Sequence, residues 1–151
     1  MPENTFEKLE KFYNESNLAQ EVTKPLKNGA VAEVQFDGDP ESYMMIKEDG
    51  RSHFRKGKPK KPQIYLKFSD GAVDYLLDVK GDDKDSIQEY TARFSECILN
   101  PTDERRIEFK LCANVLTGAR MGYFGMMLLG GKKAAKLVAQ LGIKIPKRFL
   151  K

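Results

Sequence analysis

The sequence predicts an α+β fold, an antiparallel sheet covered on one face by helices, and three observations carry that prediction. Several short runs alternate apolar and polar residues with the two-residue period of a half-buried strand. Other segments repeat apolar residues at spacings of three and four, the period of a helix with one buried stripe. Capping residues, Asn-Gly and Asp-Gly pairs and prolines fall between these runs and separate them. The order along the chain is helix, three strands, a further strand, two helices, a strand, and a helical tail. Such segregation of strands and helices is the α+β pattern rather than the strict alternation of a parallel α/β fold.

Residues 3–16 form the first helix, with Asn4 or Thr5 as cap, Glu7 in the first turn, and Phe6, Leu9, Phe12 and Tyr13 on one stripe. A second short helical stretch carries Leu18 and Val22 and ends near Pro25, and Asn28-Gly29 turns the chain. Ala30, Ala32, Val34 and Phe36 then alternate with Val31, Glu33, Gln35 and Asp37, as in a strand with one face inward. After the turn FDGDPE comes the strand SYMMIK, and Asp49-Gly50 makes a two-residue hairpin into SHFRK, giving an antiparallel meander.

The connector KGKPKKP holds four lysines and two prolines, which excludes a central strand. In PQIYLKF, Ile64, Leu66 and Phe68 face one way and Gln63, Tyr65 and Lys67 the other. Ser69 or Asp70 caps a short helix with Val73, Leu76 and Leu77. Asp85 or Ser86 caps a longer one through Ile87, Tyr90, Phe94, Ile98 and Leu99, stopped by Pro101. The fifth strand is RRIEFKLCA, with Ile107, Phe109, Leu111 and Ala113 on one face. The tail reads as a helix over 115–129, a break at Gly130-Gly131, and a helix over 132–141 ended by Gly142. Apolar nearly all round, the first of these must be buried on more than one side or face something apolar that is not the protein itself.

At 151 residues, the length fits one domain spanning 1–151 with room for a real core. The net charge of +4 hides a division: residues 109–151 hold nine of the 26 basic residues and none of the 22 acidic ones. Two cysteines, Cys97 and Cys112, are too few for a disulfide framework and too far apart for a paired-cysteine redox or zinc motif, so a cytoplasmic setting is expected. The charged start MPENTFEKLEKF lacks the apolar segment of a signal peptide. A membrane span over 111–131 is disfavoured by Asn114, Arg120 and five glycines, an arginine at mid-span alone costing about 2.5–3.5 kcal/mol.

Catalytic chemistry finds no support. His53 is the single histidine, neither cysteine has a nucleophile's surroundings, and no metal is expected from so few His and Cys. GDDKD lacks the ligand spacing of a calcium loop. GMMLLGGKKA resembles a phosphate loop but places Gly131 where the lysine belongs and Lys132 where the hydroxyl belongs. HFRKGKPKKPQIYLKF interleaves aromatic and basic residues, yet no base-reading module surrounds it, so nucleic acid is not expected. An enzyme is the least supported class, and no cofactor is implied.

The succession AVAEVQFDGDPESYMMIKEDGR, then KGKPKKPQIYLKFSDGAVDYLLD, then RIEFKL followed by GYFGMMLLGG resembles the sterol-carrier-protein-type lipid-binding domain, in particular its small stand-alone prokaryotic relatives. The likeness runs from about residue 6 to 142 and rests on the order of elements. It implies a five-stranded, mostly antiparallel sheet with helices packed on one side, enclosing an apolar tunnel for a fatty acyl or sterol-like ligand. The helix DSIQEYTARFSECILNP is longer and more polar than that pattern, and the final segment richer in methionine and glycine. Methionine suits a wall that repacks around ligands of different shape.

The expected lining is therefore Met121, Tyr123, Phe124, Met126 and Met127 from the tail and Ile64, Leu66, Phe68, Phe109 and Leu111 from the sheet. Arg120 and Lys132, with Lys133, are placed to meet a carboxylate or anionic head. The expected ligand is a fatty acid or other lipid. Alternatively, the apolar tail helix forms a homodimer or partner interface without a small ligand, or the basic tail makes peripheral contact with anionic membranes.

Overall fold

A computed structural model of the chain describes residues 4–128. It is an α+β fold with a five-stranded mixed sheet, as the sequence predicts. Helix α1 spans Thr5–Glu15, where Asn4 accepts the Glu7 N–H at 2.8 Å as an N-cap, and α2 spans Asn17–Val22. Strands β1 (Val31–Phe36), β2 (Tyr43–Glu48) and β3 (Arg51–Lys56) form the meander, and β4 runs over Ile64–Phe68. Helix α3 covers Asp70–Leu77 and α4 Lys84–Leu99; β5 is Ile107–Leu111, and α5 (Val115–Arg120) and α6 (Tyr123–Leu128) follow.

The sheet order is β3-β2-β1-β4-β5. Its central pair, β1 with β4, is parallel, whereas the other three pairs are antiparallel. The parallel pair arises because the β2–β3 hairpin and the lysine-rich connector carry the chain back before β4 begins, and with three antiparallel pairs of four the sheet is mostly antiparallel, as expected. At the hairpin tip Asp49 (φ 54°) and Gly50 (φ 73°) both take left-handed backbone, as a tight two-residue turn with the sheet's twist requires.

The inward face is the one the alternation assigns: Ala32, Val34 and Phe36 with Ile64, Leu66 and Phe68 are all at most 3% exposed. Phe54 is the hub of an aromatic cluster, 5.7 Å from Phe6, 6.0 Å from Tyr13, 6.4 Å from Phe36 and 6.3 Å from Tyr43 between ring centroids. Ser69 caps α3 and also accepts the Arg106 N–H, while Arg106 pairs with Asp37, so one corner joins β1, β4, α3 and β5.

Lys47 takes the inward place at the end of β2, where it is buried and donates to the Thr23 carbonyl at the end of α2 (3.0 Å). A helix C-terminus is a favourable place for a cation. Burial nonetheless lowers its pKa.

Two expectations are corrected. The cap of α4 is Asp83, two residues before the expected Asp85 or Ser86, because its carboxylate accepts the Ser86 N–H at 2.8 Å. The helix expected over 115–129 is interrupted at Met121-Gly122. There Gly122 (φ 92°) lies against the Pro25 carbonyl, an approach that a side chain would block. The Gly130-Gly131 break and the 132–141 helix lie outside the described residues.

The β3 edge is closed by side chains rather than by a strand. Asn14 exchanges hydrogen bonds with Phe54, donating to its carbonyl (3.1 Å) and accepting its N–H (3.0 Å). Gln20 does the same for Ser52, at 3.2 and 2.9 Å. Both amides mimic a sixth strand and satisfy the outward backbone. Asn14→Ala is expected to cost about 1–3 kcal/mol, because it leaves the half-buried Phe54 groups unpaired. Urea unfolding checks this, and a loss within error of zero would mean that water serves these groups equally well.

Candidate functional site: an apolar cleft beneath α6

The described parts of the tail dock at one corner of the helical layer. The Lys27 N–H donates to the Met121 carbonyl (2.9 Å), and Tyr123, 2% exposed, donates its hydroxyl to Gln63 Oε1 (3.0 Å), which also accepts the Val31 N–H (2.6 Å). Burial raises the Tyr123 pKa. Met126 thereby comes over a cleft whose other walls are Tyr13 from α1, Val22 from α2, and Tyr90, Thr91 and Phe94 from α4. The open space is about 20 Å³, room for about one water molecule.

One polar feature stands in this wall. The hydroxyls of Tyr13 and Tyr90 lie 3.0 Å apart, both residues being at most 4% exposed. Burial pushes the Tyr13 pKa up to about 12 and that of Tyr90 well above its usual value, so both are neutral at physiological pH. The pair has two hydroxyl protons and one internal hydrogen bond, which leaves one proton for an acceptor outside the pair. Thr91 is already engaged, donating to the Ile87 carbonyl at 3.0 Å. The cleft's described lining holds no charged side chain.

The expected lining residues are only partly brought together. Met126 is in the wall, and Met121 and Tyr123 anchor the corner that carries it. Ile64, Leu66 and Phe68 are closed into the core; Phe68 meets Phe94 of α4 ring to ring at 6.2 Å, so α4 covers this part of the sheet. Phe109 and Leu111 are half-buried near the β5 edge, and Arg120 is exposed outside the cleft. The side chains of Phe124 and Met127, and all of Lys132, lie outside the described residues. Sequence reasoning named Tyr13, Val22, Tyr90 and Phe94 as helix-stripe residues without seeing that their stripes leave a gap. Periodicity reports which residues turn inward, not where three helices fail to fill the space between them.

A second cleft, of about 290 Å³, opens on the surface between α3 and the loop before β5, lined by Gly71, Asp74, Tyr75, Asp78, Glu104 and Arg105. The Tyr75 ring is flanked by the guanidinium groups of Arg93 (4.5 Å) and Arg105 (4.1 Å), and its hydroxyl donates to Glu96 (2.6 Å). Of its carboxylates, Asp74 pairs with Lys8 (3.1 Å) and Asp78 with Arg93 (3.6 Å). His53 is half-buried on the outer sheet face, Cys97 is buried and Cys112 exposed. Among the described residues, no group of three or more His, Cys, Asp or Glu is placed to hold a metal ion, and no helix is long and apolar enough to cross a membrane.

No protein-family model and no curated protein matches the sequence. Among solved structures, the chain is similar to "UbiJ-SCP2 Ubiquinone synthesis protein", with a TM-score of 0.41 and 14% identity over 81% of this chain and 88% of that one. The fold class rests on the chain's own sheet and helices.

Proposed function

We propose that the protein is a non-catalytic binder of a long apolar ligand, a fatty acid or other lipid, taken up beneath α6 as the sterol-carrier-protein-type domains it resembles take up theirs. The observation that carries this is the uncharged cleft roofed by Met126 of α6. The flexible, unbranched thioether of Met126 repacks around what enters. The cleft at rest holds no more than one water, so uptake requires its apolar walls to part around the ligand. Affinity comes from apolar area removed from water, at about 25 cal/mol per Å². The Tyr13–Tyr90 pair offers its spare proton to an oxygen of the ligand's head.

Native mass spectrometry of gently purified protein is expected to show a co-purified apolar adduct, and fluorescent fatty-acid displacement to show saturable uptake of oleate or oleyl alcohol. Met126→Gln is expected to weaken uptake roughly thirtyfold, the equivalent of about 2 kcal/mol for one methionine contact, while the melting temperature changes little. A bare protein that takes up neither probe, or a variant that loses fold and uptake in equal measure, overturns the proposal.

A further inference from the structure

The two edges of the sheet are treated differently. At β3 the side chains of Asn14 and Gln20 occupy the outward backbone groups. At β5 the phase of the ladder is set by the Ser69 N–H donating to the Arg106 carbonyl (2.9 Å) and the Cys112 N–H donating to the Gln63 carbonyl (2.8 Å). Residues 108 and 110 therefore bond to β4, and Ile107, Phe109 and Leu111 turn their N–H and C=O groups away from the sheet. No described residue bonds to them. An open strand edge is a template for another strand, and proteins ordinarily blunt it with proline, edge charge, inward charge or a covering element. The strand Ile-Glu-Phe-Lys-Leu has no proline, and its two exposed charges are of opposite sign, so they repel an incoming strand only where like is set against like.

The sequence of this edge selects its own partner. Set antiparallel against a second copy about a two-fold axis through Phe109, it places Glu108 opposite the partner's Lys110 and Lys110 opposite the partner's Glu108. The same register pairs Ile107 with the partner's Leu111, apolar against apolar on the inner face. Phe109 and Leu111, only half-buried in one copy, gain cover there. Moving the register by two residues in either direction puts Glu108 opposite Glu108 of the partner subunit, or Lys110 opposite the partner's Lys110, so like charges oppose every neighbouring register. The outward N–H and C=O groups of residues 107, 109 and 111 all find partners in the centred register alone.

We propose that β5 pairs antiparallel with β5 of a second copy, centred on Phe109, so that two five-stranded sheets become one continuous sheet across a two-fold axis. The contact is independent of the lipid cleft. Limited to one strand edge, it belongs to the small, reversible class of interface, with a dissociation constant of roughly micromolar order.

Sedimentation equilibrium of the full chain over a range of concentrations tests this, with circular dichroism to verify folding of each variant. The wild type is expected to dimerise reversibly. Lys110→Glu alone, and Glu108→Lys alone, each set like charges opposite one another and are expected to weaken dimerisation roughly tenfold or more. An equimolar mixture of these two variants restores both opposite-charge pairs and is expected to form a heterodimer at wild-type affinity. A wild type that stays monomeric at all concentrations overturns the proposal. So does a dimer indifferent to both substitutions, which would place its interface elsewhere, and so does a mixture that fails to recover.

Discussion

Gly122→Ala is expected to lower the melting temperature by roughly 6–12 °C, about 3 kcal/mol, by releasing the α5–α6 corner from the body of the protein. Two costs add at this position. Its φ of 92° is one that a residue with a Cβ rarely adopts, worth about 1–2 kcal/mol. The new methyl group also has nowhere to go, since it meets the Pro25 carbonyl and the Leu26 backbone rather than a side chain that could rotate aside. Gly38→Ala is the appropriate control: its φ of 78° carries the first cost, but nothing lies within 4 Å of the added methyl. The difference between the two variants isolates the docking of the corner. Hydrogen exchange should place the loss there, with α6 and the Lys27 N–H, which donates to the Met121 carbonyl, deprotected ahead of the sheet. Equal losses in the two variants would show that the corner contributes nothing beyond its backbone conformation.

The same glycine marks where the sequence stops being legible. Strand alternation reports burial directly, so Ala32, Val34, Phe36, Ile64, Leu66 and Phe68 could be assigned to the inner face from spacing alone, and all six are buried. The Asp49-Gly50 hairpin is equally readable, and each cap is readable to within two neighbours, Asn4 or Thr5 and Ser69 or Asp70, because each satisfies a local backbone requirement with a local residue. The break at Gly122 has its cause nearly a hundred residues away, in the Pro25 carbonyl, and no local pattern encodes it. The amides of Asn14 and Gln20 are similar: within a helix they look like solvent-facing polar residues, and only the approach of β3 gives them their work. The cleft follows this division. Met126, Met121 and Tyr123 were visible as an apolar tail needing cover, whereas the opposing wall is made where α1, α2 and α4 meet. What remains local in the sequence of the β5 edge is its charge symmetry about Phe109, which acquires meaning only once the outward direction of its backbone is known.

Raising the pH is expected to unfold the protein in one sharp step between about pH 10 and 12, with the buried tyrosines Tyr13, Tyr43, Tyr90 and Tyr123 ionising together in that step rather than one by one. All six tyrosines have raised pKa values. For Tyr13, Tyr43, Tyr65, Tyr90 and Tyr123 the main cause is burial; for Tyr75 it is the hydrogen bond to Glu96. Tyr13 and Tyr43 are each pushed up to about 12. The sign follows from proton counting. Between the unfolded value near 10 and the raised folded values, the unfolded chain binds fewer protons than the native one, so each increment of pH favours unfolding. The stabilisation is fully present below pH 10 and is lost as the pH climbs through the folded values. For the fully buried Tyr13 alone, the loss approaches about 3 kcal/mol by pH 12, at 1.36 kcal/mol per pKa unit, a large share of a typical domain's stability. Because the chain has no tryptophan, the tyrosinate absorbance band reports these groups without interference, and far-ultraviolet circular dichroism follows the fold in the same sample. The two signals should change together. One of these four buried tyrosines titrating reversibly near pH 10 while the helical signal stays native would contradict the packing described for it; for Tyr13 and Tyr90 it would also open the wall of the cleft to water.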